Sequence, residues 1–162
     1  MSEDKKVNLL KEKLLKSFNK KKLTILADIV EKKDPCSLRL IEWFVSYYSR
    51  EHRVSYKLNG KNFNVYSSYK DEQMASYNKK LFDMYRRMPK FQVQIDEKRV
   101  LDTTVAQLNF FNWMFKNKIL DYVLDNLKKI KDDLDSSKPS KMSKKFFEDV
   151  KITRAKIIIY FE

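Results

Sequence analysis

Three carboxylates and a lysine are the first residues whose types and spacing could do chemistry. Asp96, Glu97 and Lys98 follow a strand-like segment, and Asp83 lies upstream. Metal-dependent nucleases of the restriction-enzyme type set an acidic pair beside a lysine, so that Mg²⁺ activates water next to a phosphate. The same string also reads as a hairpin turn, and short acidic-x-Lys strings are common in a lysine-rich chain. No catalytic residue or metal ligand is therefore assigned. His52, the single histidine, has no serine or cysteine signal beside it and reads as a helix-end residue rather than a general base. Cys36 precedes an expected helix whose dipole could lower a thiol pKa, but with no second Cys or His its default is a buried or idle thiol. One Cys and one His exclude a Cys/His zinc site and an intrachain disulfide. The single Gly leaves no room for a Walker-type loop or a dinucleotide fingerprint. A non-enzymatic protein without a cofactor is expected.

Cations give the stronger signal. The 162 residues carry a net charge of +13, with 28 Lys and 7 Arg, and the sequence pI is about 9.6. Such an excess favours polyanionic partners, nucleic acid first and DNA ahead of RNA. An AT-rich genome would also enrich Lys, Asn, Ile and Tyr together, and all are abundant here. Residues 1–35 hold +4, 36–102 +5, 103–135 zero and 136–162 +4. The best patch pairs Lys79 with Arg86 and Lys80 with Arg87, each seven apart on a helix expected from Asp71 to Met88. At that spacing each pair stacks along one side, pointing away from Leu81. Lys90, Lys57 and Lys61 extend this surface toward an expected hairpin. The candidate nucleic-acid-binding set is thus Lys57, Lys61, Lys79, Lys80, Arg86, Arg87 and Lys90. The plainer alternative is a solvated helix face with Asp83 paired to a neighbour. Tyr66, Tyr69 and Tyr77 could stack on bases, although such spacing more often marks core. Softer cationic signals are Lys20 to Lys22 and the tail lysines 138, 141, 144 and 145.

The elements that must position these residues read as an α+β domain with a small antiparallel sheet and surrounding helices. Residues 3–33 are helical in pattern, as two helices or one long one. Val7, Leu10, Leu14 and Phe18 recur at helical spacing before Lys20 to Lys22 interrupt the stripe. Ser37 can cap a helix from Leu38 to about Arg50, with Leu40, Ile41, Phe44, Val45 and Tyr48 facing inward. Val54, Tyr56 and Leu58 alternate, Asn59-Gly60 follows, and Phe63 and Val65 alternate again, the strongest short hairpin signal. Phe91, Val93 and Ile95 form a strand, residues 96–98 turn, and a short strand follows from Arg99 to Leu101. Thr104 and Gln107 fit a capping box opening a largely buried aromatic helix. From Ile119 to Leu134 apolar residues continue at helical spacing beyond Asn117.

This organisation gives a basic helical segment at 1–35 and a core at 36–135. A Lys/Ser-rich linker at 136–149 and an apolar terminal strand at 150–162 follow. That strand is either central in a sheet or paired with another chain. The polar N-terminus has no signal-peptide core, and the longest apolar run, Ile157 to Phe161, is too short to span a bilayer. The expectation is a protein that is not secreted and does not meet a membrane.

Several strings carry a family likeness: Cys36-Ser-Leu-Arg39, Ile41-Glu-Trp-Phe-Val45, Phe82-Asp83 with Arg86-Arg87, and Thr103-Thr-Val105 followed by Gln107-Leu-Asn-Phe-Phe111 and Trp113. Together they resemble a family of small proteins of nucleocytoplasmic large DNA viruses, over about residues 36–123. Met84 and Ala106 stand where that pattern has Pro and Gly. The resemblance carries no activity and no catalytic residue. It implies a viral setting, in the virion or in the cytoplasm or nucleus of an infected cell. Within it, nucleic acid is the first expected partner. The alternative is a structural component meeting other virion proteins, or a second copy, through the terminal strand.

Overall fold

The Asn59-Gly60 pair makes the tightest link between residue type and backbone. In the computed structural model, which describes residues 3–33, 36–75, 81–85 and 87–137, Asn59 has φ 52° and Gly60 φ 79°. Both sit in the left-handed region that this hairpin turn requires. A Cβ on Gly60 would meet nothing within 4 Å, so the dihedral rather than crowding demands glycine. The turn joins β1 (Ser55–Leu58) to β2 (Lys61–Asn64), with Tyr56 opposite Phe63 and Lys57 opposite Asn62. Val65, expected in the second strand, instead opens α5 (Val65–Ala75). The Asn64 carboxamide oxygen accepts from the Ser67 amide at 2.9 Å, an N-terminal cap that ends the strand.

Upstream, α1 (Glu3–Ser17) and α2 (Lys20–Val30) are separate helices. Asn19 stops one and caps the other, accepting from the Lys22 amide at 2.8 Å, so Lys20 to Lys22 form a first turn. Leu14, Phe18, Leu23, Leu26 and Ile29 are buried. Ser37 caps α3 (Leu38–Trp43), accepting from the Leu40 amide at 3.1 Å. A π-helical turn (Phe44–Tyr48) leads into α4 (Ser49–Glu51). The five residues expected to face inward, Leu40, Ile41, Phe44, Val45 and Tyr48, are all buried.

The helix expected from Asp71 to Met88 is met only in part: α5 covers residues 71–75, whereas the described residues 81–85 and 87–88 are not α-helical. Asp83 turns its carboxylate back onto the Tyr85 amide at 3.0 Å, and Asn109 donates to the Leu81 carbonyl at 2.7 Å. Both contacts divert backbone groups or their neighbours from a helical ladder. Leu81, Phe82 and Met84 are thereby all buried.

Strands β3 (Phe91–Gln94) and β4 (Val100–Thr103) form a second antiparallel pair. The β structure among the described residues is therefore two separate two-stranded sheets, not one sheet. Thr104 caps α6 (Val105–Lys116), accepting from the Gln107 amide at 3.1 Å. Only half of the capping box forms, because the Gln107 carboxamide oxygen instead accepts from the Thr103 hydroxyl at 2.6 Å. Helix α6 is the centre of the core. Its Phe110 and Trp113 rings lie against Phe82, while Phe111 and Phe115 lead to Phe18 of the N-terminal segment. Asn117 ends α6, α7 (Ile119–Asp125) follows, and Asn126 separates it from α8 (Leu127–Ser137). Residues Met1–Leu127 form one compact unit, so α1 and α2 share it with the elements from Ser37 onward. A second unit begins at Lys128; in it Ile130 and Leu134 are buried one turn apart and Lys128 pairs with Asp132 at 3.2 Å. The expected terminal strand lies outside the described residues.

Candidate nucleic-acid interface

Four of the seven candidate cations lie among the described residues, and they fall at two places. Lys57 and Lys61 are exposed on the hairpin. Beside Lys57, Tyr56 donates its hydroxyl to the Asn117 carbonyl at 2.6 Å and stacks on Tyr122, fixing the hairpin at the C-terminal end of α6. Burial, and secondarily the Asp121 carboxylate, push the Tyr56 phenol above its usual range. Arg87 and Lys90 are exposed at a groove that also takes in Thr104 and Gln107, at the opposite end of the same helix. A helix of 12 residues is about 18 Å long at 1.5 Å per residue. The four described cations of the set thus lie in two regions. Lys79, Lys80 and Arg86 lie outside the described residues. Arg87 is described and is not helical.

Pairing separates these cations from others. Arg99 is held by Asp28 at 2.9 Å and Glu31 at 3.1 Å, and Arg50 by Glu51 at 3.1 Å. Hydrogen bonds from Lys33 and then Arg99 hold the Glu31 carboxyl below its ordinary value. Lys57, Lys61, Arg87 and Lys90 make no ion pair among the described residues.

The C-terminal end of α6 also gathers cations that were not singled out in the sequence. Lys22 stands over the Phe115 ring at 5.8 Å, and Ser17 donates to the Asn112 carboxamide at 3.0 Å. These contacts bring the α1–α2 junction against the last turns of α6, which ends in Lys116 and is followed by Lys118. The last two sit in a charge-neutral segment, so a segment count hides them. Their position next to the helix-breaking Asn117 was the available signal.

The N-terminal end is concave. A groove of about 600 Å³ is lined by Val30, Leu38, Met84, Tyr85, Met88 and Asp102, besides Arg87 and Lys90, with Thr103, Thr104 and Gln107. Next to it, a recess of about 150 Å³ is lined by Glu42, Tyr69, Gln73, Asp83 and the Phe82 and Phe110 rings. Its Gln73 carboxamide oxygen is buried without a partner, while the amide nitrogen donates to the Tyr69 hydroxyl at 3.0 Å. Burial, then Glu42 and Asp83, push the Tyr69 phenol up to about 12.

The carboxylates singled out for metal chemistry have other occupations. Asp96 accepts from the Lys98 amide at 2.8 Å inside the β3–β4 turn, and Asp83 accepts from the Tyr85 amide. Among the described residues no three His, Cys, Asp or Glu side chains gather as a metal site. His52 stacks on Tyr48 with ring centroids 4.1 Å apart, and Cys36 is fully buried.

Comparison with known proteins decides the kinship. A model for a family of unknown function, DUF7197, matches residues 1–157. The chain belongs to that family. The match extends through both N-terminal helices, beyond the stretch in which the viral likeness was read. The chain is also 32% identical over 151 residues to Uncharacterized protein L507 of Acanthamoeba polyphaga mimivirus. That alignment covers 87% of this chain and 58% of the relative, so the chain spans under two thirds of the relative's length. The giant-virus kinship read from the motifs is met. No solved structure matches this chain. Among the described residues of this DUF7197 member, no helix is long and apolar enough to cross a membrane.

Proposed function

We propose that this DUF7197 protein binds nucleic acid without transforming it, accompanying a viral genome or acting on it in the infected cell. The observation that carries the reading is the combination of a +13 chain with exposed cations that no described carboxylate neutralises. Lys57 and Lys61 on the hairpin offer one phosphate-contacting place. Arg87 and Lys90 offer another. A lysine surface of this kind contacts phosphates and carries no base code. Binding is accordingly tolerant of sequence and driven by release of counterions.

The test is a salt titration of the full chain on duplex and single-stranded DNA and on RNA. Affinity falls linearly on a log–log plot, by about 0.9 per phosphate contacted on a duplex. Lys57→Glu with Lys61→Glu, in a chain whose circular dichroism is unchanged, weakens binding and flattens that slope. A folded variant that binds as the parent does would remove the hairpin from the interface. Affinity indifferent to salt would overturn the reading altogether. Labelled DNA incubated with Mg²⁺ and the protein stays intact; cleavage proportional to enzyme would replace binding by catalysis.

A further inference from the structure

The groove at the N-terminal end of α6 is more than a cationic surface, because its floor is polar and partly unspent. Gln107 is only 9% exposed and Thr104 7%. The Gln107 oxygen is taken by the Thr103 hydroxyl, whereas its NH₂ has no partner among the described residues. Gln107 is part of the groove lining. Thr104 accepts from the Gln107 amide, which leaves its own O–H to donate. Above this floor stand two cations, Arg87 and Lys90, and one carboxylate, Asp102, all exposed. The walls are flat or apolar: Tyr85, 53% exposed, with Met84, Met88, Val30 and Leu38.

Each part selects against simpler occupants. An inorganic anion would use the donors and leave most of about 600 Å³ empty; pockets for organic ligands run from about 300 to 1,000 Å³. A purely apolar molecule would leave the Gln107 NH₂ and the Thr104 O–H unused and desolvated. A ligand with a charged phosphate, a hydroxylated middle and a planar end satisfies all the groups at once. Phosphate meets Arg87, Lys90 and the Gln107 NH₂, hydroxyls meet Asp102, and a ring lies against Tyr85 and Met88.

We infer that this groove is a binding site for a single nucleotide unit, with Arg87, Lys90 and Gln107 on its phosphate and Tyr85 against its base. The inference deepens the nucleic-acid reading, and the unit has two sources: a free mononucleotide or one residue of a single strand. Full-length protein is titrated by calorimetry with adenosine 5′-monophosphate, with adenosine, with inorganic phosphate, and with a short single-stranded oligonucleotide. The monophosphate binds saturably, and adenosine and phosphate each bind at least tenfold more weakly. Arg87→Ala with Lys90→Ala lowers monophosphate affinity at least tenfold, and Tyr85→Ala lowers it severalfold. All three side chains are exposed, so the fold is spared. An oligonucleotide that competes with the monophosphate assigns the site to a strand; one that binds without competing assigns it to the free nucleotide. No saturable binding of the monophosphate, or binding unchanged in both variants, overturns the site. If long DNA still binds in a salt-dependent way, the site falls while the broader reading stands; if the monophosphate binds and long DNA does not, the reverse holds.

Discussion

The two ends of α6 carry the same sign of charge on different shapes. At the C-terminal end the lysines stand on a hairpin and on helix junctions, around Tyr56 and Phe115, as separate exposed tips. At the N-terminal end Arg87 and Lys90 border a groove floored by buried polar side chains. Exposed tips suit a repeating phosphate backbone, which needs charge density and little geometry. A groove with unspent donors rewards one ligand of the right length. Among the described residues the charge excess is therefore also divided, between the two ends of one buried helix.

The largest effect comes from removing what holds the two ends in place. Phe110→Ala deletes a side chain that is 2% exposed and touches the Phe82 and Trp113 rings. The expected loss is about 3–5 kcal/mol in unfolding free energy, typical of a buried Phe truncation. Urea denaturation reads it, and a loss below about 1 kcal/mol would mean that the aromatic centre is not the support of both ends. Next in size is a double dissociation. Lys57→Glu with Lys61→Glu lowers affinity for long DNA at least tenfold while leaving monophosphate binding unchanged. Arg87→Ala with Lys90→Ala does the opposite in rank. Equal losses in both assays for both variants would merge the two ends into one surface.

How much of this arrangement was legible depends on the range of the interactions concerned. Asn59-Gly60, Ser37 and Thr104 act within a few residues, through positive φ or a cap, and each does in the fold what its neighbours in sequence imply. The inward faces of α3 and α6 were legible for the same reason, since helical period maps directly onto burial. The described residues 81–85 and 87–88 were misread as helix because the apolar residues there also satisfy a helical period. What decides against a helix there is a carboxylate bonding its own chain at Asp83 and a carboxamide arriving from Asn109, 28 residues away. Periodicity contains neither. The candidate site's strongest argument in sequence was the seven-residue spacing on that helix, and three of its four cations, Lys79, Lys80 and Arg86, lie outside the described residues. Arg87 and Lys90 remain candidates on different grounds, as neighbours of Thr104 and Gln107 across the groove. Lys116 and Lys118 were passed over because charge was summed by segment, while the fold sums it by position.

A smaller effect sharpens the groove end. Thr104→Ala removes the cap of α6 and costs about 1 kcal/mol of stability. It also removes one floor donor, so monophosphate affinity falls while affinity for long DNA through the hairpin end is kept. Thermal unfolding beside the two titrations separates the cap from the donor: Thr104→Ser retains both the hydroxyl acceptor and the O–H, and restores both readouts.

The smallest effect is a dependence on alkaline pH that marks the N-terminal half. Tyr69 is half-buried against Glu42 and Asp83, and its phenol is pushed up to about 12, first by burial and then by those carboxylates. An unfolded chain ionises the same phenol near its ordinary value of about 10. Between these values the folded state keeps a proton that the unfolded state has released, so stability falls as pH rises. The contribution is fully present below about pH 10 and is lost as pH climbs through the folded value. Tyr69→Phe keeps the ring against Phe82 and Trp113 and removes the titration. The difference in urea midpoint between parent and variant should therefore shift with pH only above about 10, in the direction that penalises the parent. Tyrosinate absorbance of the folded parent, with the variant as reference, follows the same group directly. A Tyr69 phenol ionising at its ordinary value would mean that water and counterions reach the recess freely and that its burial against Glu42 and Asp83 does not hold in solution.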